Sequence, residues 1–100
     1  MMRVQCSFKT SQRSEGLKEY AITKIQHLAQ KLAKEPIHCH FSFGVEGAFD
    51  AVSCNLFTGD GMSIRASHRG KNFVECIDEL IEKVERQIER KKGKQKALRH

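Results

Sequence analysis

Lys83, Arg86, Arg90 and Lys94 follow one another at spacings of three, four and four residues. On an α-helix this spacing stacks the four cations along one edge, about 5–6 Å apart. That is close to the repeat of phosphates along a nucleic-acid strand, so the chemistry on offer is ionic recognition of a polyanion. His38-Cys39-His40 is the other grouping that invites a chemical reading. On a strand the two imidazoles share one face and Cys39 points to the other. Two histidines with no third ligand nearby make an incomplete zinc set. Asp50 and Asp60 sit in turn-like stretches and read as turn residues. The chain has no Gly-rich phosphate loop, no H-E-x-x-H and no nucleophile elbow. We therefore expect no catalytic residue, no metal and no cofactor. The enzymatic alternative is a small site among His38, His40 and Arg65 on a sheet face, which no third feature supports.

The distribution of charge strengthens the ionic reading. The 100 residues carry 18 bases and 12 acids, a net +6. From Lys83 onward there are eight bases against two acids, so the whole excess lies in the last 18 residues. A localised excess points to a polyanionic partner more strongly than a diffuse one. With 39% hydrophobic residues the chain supports one modest core and is not expected to be disordered. No apolar run approaches the roughly 20 residues of a membrane span, and the start lacks the apolar stretch of a signal peptide. The expectation is a soluble cytoplasmic protein. Cys6, Cys39, Cys54 and Cys76 form no C-x-x-C pair and fall at inward-facing positions, where they read as small buried hydrophobes.

Hydrophobic periodicity supplies the elements that must hold these residues. Val4, Cys6 and Phe8 alternate with polar residues in a short strand. Residues 10–13 read as loop. Ser14 is a helix N-cap, and Leu17, Tyr20, Ala21, Ile25, Leu28, Ala29 and Leu32 have helical spacing. Pro36 ends that helix by Lys34 or Glu35. Ile37 to Val45 alternates as a second strand, Glu46-Gly47-Ala48 turns, and Val52 to Leu56 is a third. Thr58-Gly59-Asp60-Gly61 is a hairpin turn into a fourth strand over Met62 to Ser67. His68 to Asn72 reads as a polar connection. Phe73, Ile77, Leu80, Ile81, Val84 and Ile88 mark a second helix, which Gly93 is expected to end.

The order is strand, helix, three strands, helix. Strands 2 to 4 form an antiparallel meander, and strand 1 joins strand 2 through a helix, as parallel neighbours do. Both helices must bury single apolar faces on one side of the sheet, which gives an α+β two-layer sandwich. The other sheet face carries His38, His40, Ser53, Asn55, Ser63, Arg65 and Ser67 and stays wet, with Phe57 its one aromatic. So few exposed aromatics favour phosphate and shape recognition over base stacking. Residues 1–94 form the single domain, and 95–100 are expected to be a basic mobile tail.

Projected at about 100° per residue, the second helix has three faces. The apolar set occupies one. Lys83, Arg86, Gln87, Arg90 and Lys94 occupy a second, and Glu75, Asp78, Glu82, Glu85 and Glu89 a third. Glu79 falls among the bases. In the first helix Tyr20, Lys24, His27 and Lys31 lie beside the apolar face. Two helices side by side could place these basic edges along the cleft between them, a cradle for an RNA backbone; whether the two edges face each other is a matter of geometry that the sequence leaves open.

Phe73 to Ile88 resembles the signature helix of the ribosome hibernation promoting factors, also called ribosome-associated inhibitors. Ile77-Asp78, Lys83 and Glu85-Arg86-Gln87 carry the likeness. Leu17, Tyr20, Lys24 and Ile25 in the first helix, and Gly61 and Ala66 around the fourth strand, are also similar to the family pattern. The resemblance covers about residues 3–94. It implies a fold related to the double-stranded-RNA-binding domain, on a short family form. It further implies binding to the small ribosomal subunit during stress or stationary phase. The protein would occupy the channel for messenger and transfer RNA and inhibit translation. Carried over by position, the contacts to ribosomal RNA include Lys24, Lys83, Arg86, Arg90, Lys91 and Lys94. His27 stands where the family commonly has a base, and Arg69-Gly70-Lys71-Asn72 replaces the acids often found before the second helix. With the residues chosen by face, the RNA-binding set is Lys24, His27, Lys31, Arg65, Lys83, Arg86, Gln87, Arg90, Lys91 and Lys94. The alternative function is a general double-stranded-RNA-binding module with another partner.

Overall fold

A computed structural model describes residues 2–9, 14–31, 36–59 and 61–98, with side chains for all of these but 36, 37 and 92–98. The elements are β1 (Arg3–Phe8), α1 (Glu15–Ala29), β2 (Pro36–Glu46), β3 (Phe49–Thr58), β4 (Ser63–Gly70) and α2 (Phe73–Leu98). The four strands lie in the order β1-β2-β3-β4. β1 pairs with β2 in parallel, and β2, β3 and β4 are antiparallel. This is the expected α+β sandwich, with both helices on one side of a mixed sheet.

Local chemistry sets the ends of these elements. The Ser14 hydroxyl accepts a hydrogen bond from the Leu17 amide at 3.2 Å, and Ser14 has extended backbone angles, as an N-cap requires. Asn72 does the same for α2, its side-chain oxygen accepting from the Glu75 amide at 2.8 Å. Both hairpin turns place glycine in the left-handed region, Gly47 at φ 60° and Gly61 at φ 87°. The expected loop at 10–13, and Leu32, Lys34, Glu35 and Asp60, lie outside the described residues.

The core forms between the helices and one sheet face. Ala21, Ile25 and Leu28 of α1 and Ile77, Leu80, Val84 and Ile88 of α2 bury against Phe41, Phe43, Val52, Leu56 and Ile64. Phe43 is its aromatic hub, stacked on Phe8 at 4.7 Å and edge-on to Phe73 at 5.7 Å. All four cysteines are free; Cys39, Cys54 and Cys76 are buried and Cys6 is half-buried. Cys39 and Cys54 meet at 3.4 Å between sulfurs. That contact and burial push the Cys39 thiol far above its usual range, and burial raises Cys6 and Cys76.

Three boundaries extend furthest past expectation. β4 continues through His68 and Arg69 to Gly70, pairing them with Val52, Ala51 and Asp50. Backbone pairing on an edge strand does not need apolar alternation, so the pattern faded before the strand did. β3 begins at Phe49 rather than Val52, because its hairpin with β2 pairs Phe49, Asp50 and Ala51 with Glu46, Val45 and Gly44 whatever their hydropathy. α2 runs through Gly93 to Leu98, into the stretch expected as a tail. A glycine costs a helix about 1 kcal/mol relative to alanine, and the Lys, Gln, Ala and Leu around it are good helix formers.

Candidate nucleic-acid interface

The basic flank of α2 lies along β4, the sheet's edge strand. Lys83 donates from Nζ to the Ser67 carbonyl at 2.9 Å. Gln87 donates from Nε2 to the Arg65 carbonyl at 2.9 Å. Lys91 donates from Nζ to the Ser63 carbonyl. The register has a simple cause. Four residues of helix rise about 6 Å and two residues of strand about 6.7 Å, so each turn of α2 meets the next free carbonyl of β4. An unpaired strand edge is an open template for another chain, and these three donors close it. Each lysine ammonium has three protons and uses one here, which leaves it able to meet a phosphate.

Arg86 and Arg90 project beyond that seam and are exposed. Arg86 makes an ion pair with Glu82 at 3.6 Å with both side chains more than 60% exposed, a contact worth a few tenths of a kcal/mol. Arg90 has no ion pair among the described residues. Arg65, Lys83, Arg86, Gln87 and Arg90 together line a shallow groove of about 490 Å³ between α2 and β4. Five of the ten predicted residues thus converge there. Arg65 also turns its guanidinium to the open sheet face, donating from Nε to Asn55 Oδ1 at 2.9 Å.

The cleft between the helices is different, and of the arrangements left open by the sequence, basic edges lining it from both sides is not the one found. The acidic flank of α2 faces α1. Lys24 lies 3.5 Å from Asp78 and Lys31 lies 3.8 Å from Glu85. Tyr20 donates its hydroxyl to the same Asp78 oxygen at 2.6 Å, and the Lys24 ammonium lies 5.4 Å from the Tyr20 ring centre. The Asp78 carboxylate raises Lys24 above its ordinary pKa. The hydrogen bond to Asp78 holds the Tyr20 phenol above its own. Tyr20 and Lys24 of α1, and Lys31 in the turn just after it, therefore have partners on α2. His27 is exposed in the last turn of α1. The Lys94 side chain lies outside the described residues.

The three faces of α2 now have physical counterparts: the apolar face meets the sheet, the acidic face meets α1, and the basic face meets β4 and solvent. Lys91 is level with Ser63, where β4 begins. The backbone of α2 continues for seven residues past it, about 10 Å of helix beyond the sheet. That stretch adds Lys92, Lys94 and Lys96 and no acid.

The histidine pair does not assemble a metal site. His38 Nε2 lies 3.2 Å from Gln5 Oε1, and His40 Nε2 lies 2.8 Å from Ser7 Oγ. Cys39 points into the core on the other side. Among the described residues no three His, Cys, Asp or Glu side chains are placed to share a cation. Nor is any helix there long and apolar enough to cross a membrane.

The family described as Sigma 54 modulation protein / S30EA ribosomal protein matches residues 4–96. The chain belongs to that family. Its members are ribosome-associated factors, and this is the hibernation-factor family that the second helix resembles. Among solved structures, a ribosomal subunit interface protein from Coxiella burnetii is 24% identical, with a TM-score of 0.82. The match covers 92% of this chain and 99% of that one. The N-terminal domain of Protein Y from Thermus thermophilus is 14% identical with a TM-score of 0.78, over 90% and 98% of the two chains. No curated protein matches the sequence. The structural likenesses establish the shared fold, and the family match establishes a ribosome-associated protein.

Proposed function

We propose that this protein is a ribosome hibernation factor. It binds the small ribosomal subunit in the channel for messenger and transfer RNA, and so inhibits translation under stress or in stationary phase. It acts in the cytoplasm and carries out no chemistry: a folded body fills the channel, and charge anchors it to ribosomal RNA. The observation that carries the reading is the groove between α2 and β4, where Arg65, Lys83, Arg86 and Arg90 converge beside a basic helical overhang. Arg86 and Arg90 are its principal contacts, because binding a phosphate costs them no buried partner. Lys83, Gln87 and Lys91 contribute through donors left over from the strand edge, and Lys94 through the overhang. Lys24 and Lys31 contribute less, since each must share its charge with a carboxylate of α2; His27 lies beside them.

The test is sucrose-gradient sedimentation of the protein with ribosomes at two salt concentrations. Co-migration with the small subunit and whole ribosomes, lost at high salt, is expected. If about six phosphates are contacted, log K falls against log salt with a slope of roughly −4 to −5. Absence from every ribosomal fraction at low salt overturns the proposal. Equal affinity for ribosomes and for an arbitrary RNA duplex would instead identify a general double-stranded-RNA-binding module.

A further inference from the structure

The sheet face away from the helices has a composition that its place in the fold does not require. Its side chains form rows across the strands. Ser7, Ser42, Ser53 and Ser67 are in register across all four strands. In the next row Gly44 and Ala51 lie between Lys9 at one edge and Arg69 at the other. These small residues leave a trough of about 640 Å³ whose lining includes Ser42, Gly44, Ala51, Ser53, Lys9 and Arg69. Lys9 and Arg69 stand three strand spacings apart, about 14 Å.

Charge and aromatic surface give the trough a direction. Arg3, Lys9, Arg65 and Arg69 are exposed on this face, and Glu46 is the one carboxylate among its described residues. Among the described residues the ion pairs lie in the opposite layer and none on this face. Phe57 is 44% exposed and stacks on His38 with ring centres 6.1 Å apart. Phe49 is 45% exposed with the Arg69 guanidinium 5.5 Å from its ring centre. Both phenylalanines belong to β3, eight residues or about 27 Å apart, with Ala51, Ser53 and Asn55 between them on this face. Sequence alone placed one aromatic here because Phe49 lay outside the expected strand.

We propose that the open sheet face is a second RNA-contact surface, which takes a single strand lengthwise along β3, from Phe49 to Phe57. Phosphates meet Lys9, Arg69 and Arg65, and bases stack on Phe49 and on the Phe57–His38 pair. The serine and glycine floor lets the chain approach the sheet closely. Stacking aromatics within a basic groove is the general means of holding unpaired nucleic acid, and positive charge with π-faces fits it better than a neutral or acidic partner. Arg65 joins the two surfaces, its carbonyl on α2 and its guanidinium on the open face.

The probe is a short fluorescein-labelled single-stranded oligoribonucleotide, titrated by anisotropy against the full chain. The background is Arg86→Ala with Arg90→Ala, so that the α2 groove contributes little. Adding Phe49→Ala and Phe57→Ala is expected to weaken binding at least about fivefold. Adding Lys9→Ala and Arg69→Ala instead is expected to reduce the salt slope by about 1.4, for two lost phosphates. Amide shifts on binding should centre on Ser42, Ser53 and Ser67. All four positions are exposed or project from the surface, and thermal melts confirm the fold of each variant. Affinity and salt slope unchanged from the parent in both variants, no binding by the parent, or shifts confined to the helices would each overturn the proposal. The readout is independent of ribosomes, so it stands or falls separately from the hibernation reading.

Discussion

Along the flank that meets α1, α2 presents carboxylates; along the flank that meets β4, it presents amines and guanidiniums. The two seams use charge in different ways. At the α1 seam Asp78 and Glu85 receive Lys24 and Lys31, so ions of opposite sign largely cancel. At the β4 seam Lys83, Gln87 and Lys91 donate to neutral carbonyls, so the positive charge is positioned but not cancelled. One seam spends its cations on holding two helices together. The other holds a strand edge and keeps its charge for a partner. Counting bases in a sequence treats Lys24 and Lys83 alike; their partners separate them.

The largest effect that would break this comparison lies at the β4 seam. Lys83→Met with Lys91→Met removes two of the three donors to the strand edge while keeping the aliphatic stems. Loss of two hydrogen bonds from charged groups at a partly exposed site predicts about 1–3 kcal/mol of destabilisation by urea denaturation. Uncovered carbonyls also predict concentration-dependent association, readable by sedimentation velocity. A monomer of unchanged stability would mean that the donors are incidental.

At the α1 seam, Asp78→Asn should cost about 1 kcal/mol, measured in the same denaturation experiment. It weakens the hold on both Tyr20 and Lys24. Tyr20→Phe should reproduce a large part of that loss, and the double variant should show non-additivity, because both changes act on one hydrogen bond. Simple addition of the two effects would place the Tyr20 contribution elsewhere.

The smallest effect is in alkali. Tyr20 and Lys24 both have pKa values raised in the folded protein, so the folded state holds their protons more tightly than the unfolded state. Their contribution is fully present below about pH 10 and is lost as the pH rises through the folded values. Stability should decline modestly in that window, and Asp78→Asn should flatten the decline. A decline of the same slope in the variant would assign it to other groups.

Much of this organisation was legible in the residues themselves. Alternation marked the strands, Ser14 announced α1, and the order of elements set one parallel and two antiparallel pairings. Angular projection separated the three faces of α2. What the two charged faces meet was not legible, because a helical wheel has no neighbours. Placing Lys24 and Lys83 in one cleft was reasonable for two bare helices, but α2 is rotated so that Asp78 faces Tyr20. The strand-edge seam had a signal, Lys83, Gln87 and Lys91 at intervals of four. It becomes readable only when β4 is known to be an edge and to run against α2. The ends of β4 and α2 were missed where backbone hydrogen bonding and helix propensity extended an element past its hydrophobic pattern.

Ribosome co-sedimentation of two double variants beside the wild type at low salt sets the two seams against each other. Arg86→Ala with Arg90→Ala removes the exposed guanidiniums of the β4 side, of which Arg86 pairs only with Glu82 on its own helix; Lys24→Ala with Lys31→Ala removes the α1-side lysines that pair with carboxylates of the other helix. With hydrogen bonds to charged groups worth roughly 1.5–3 kcal/mol each, the first variant should lose about a hundredfold in affinity or more. The second should lose much less, with both folds intact by circular dichroism. Equal losses, or a greater loss from the α1 side, would contradict the account.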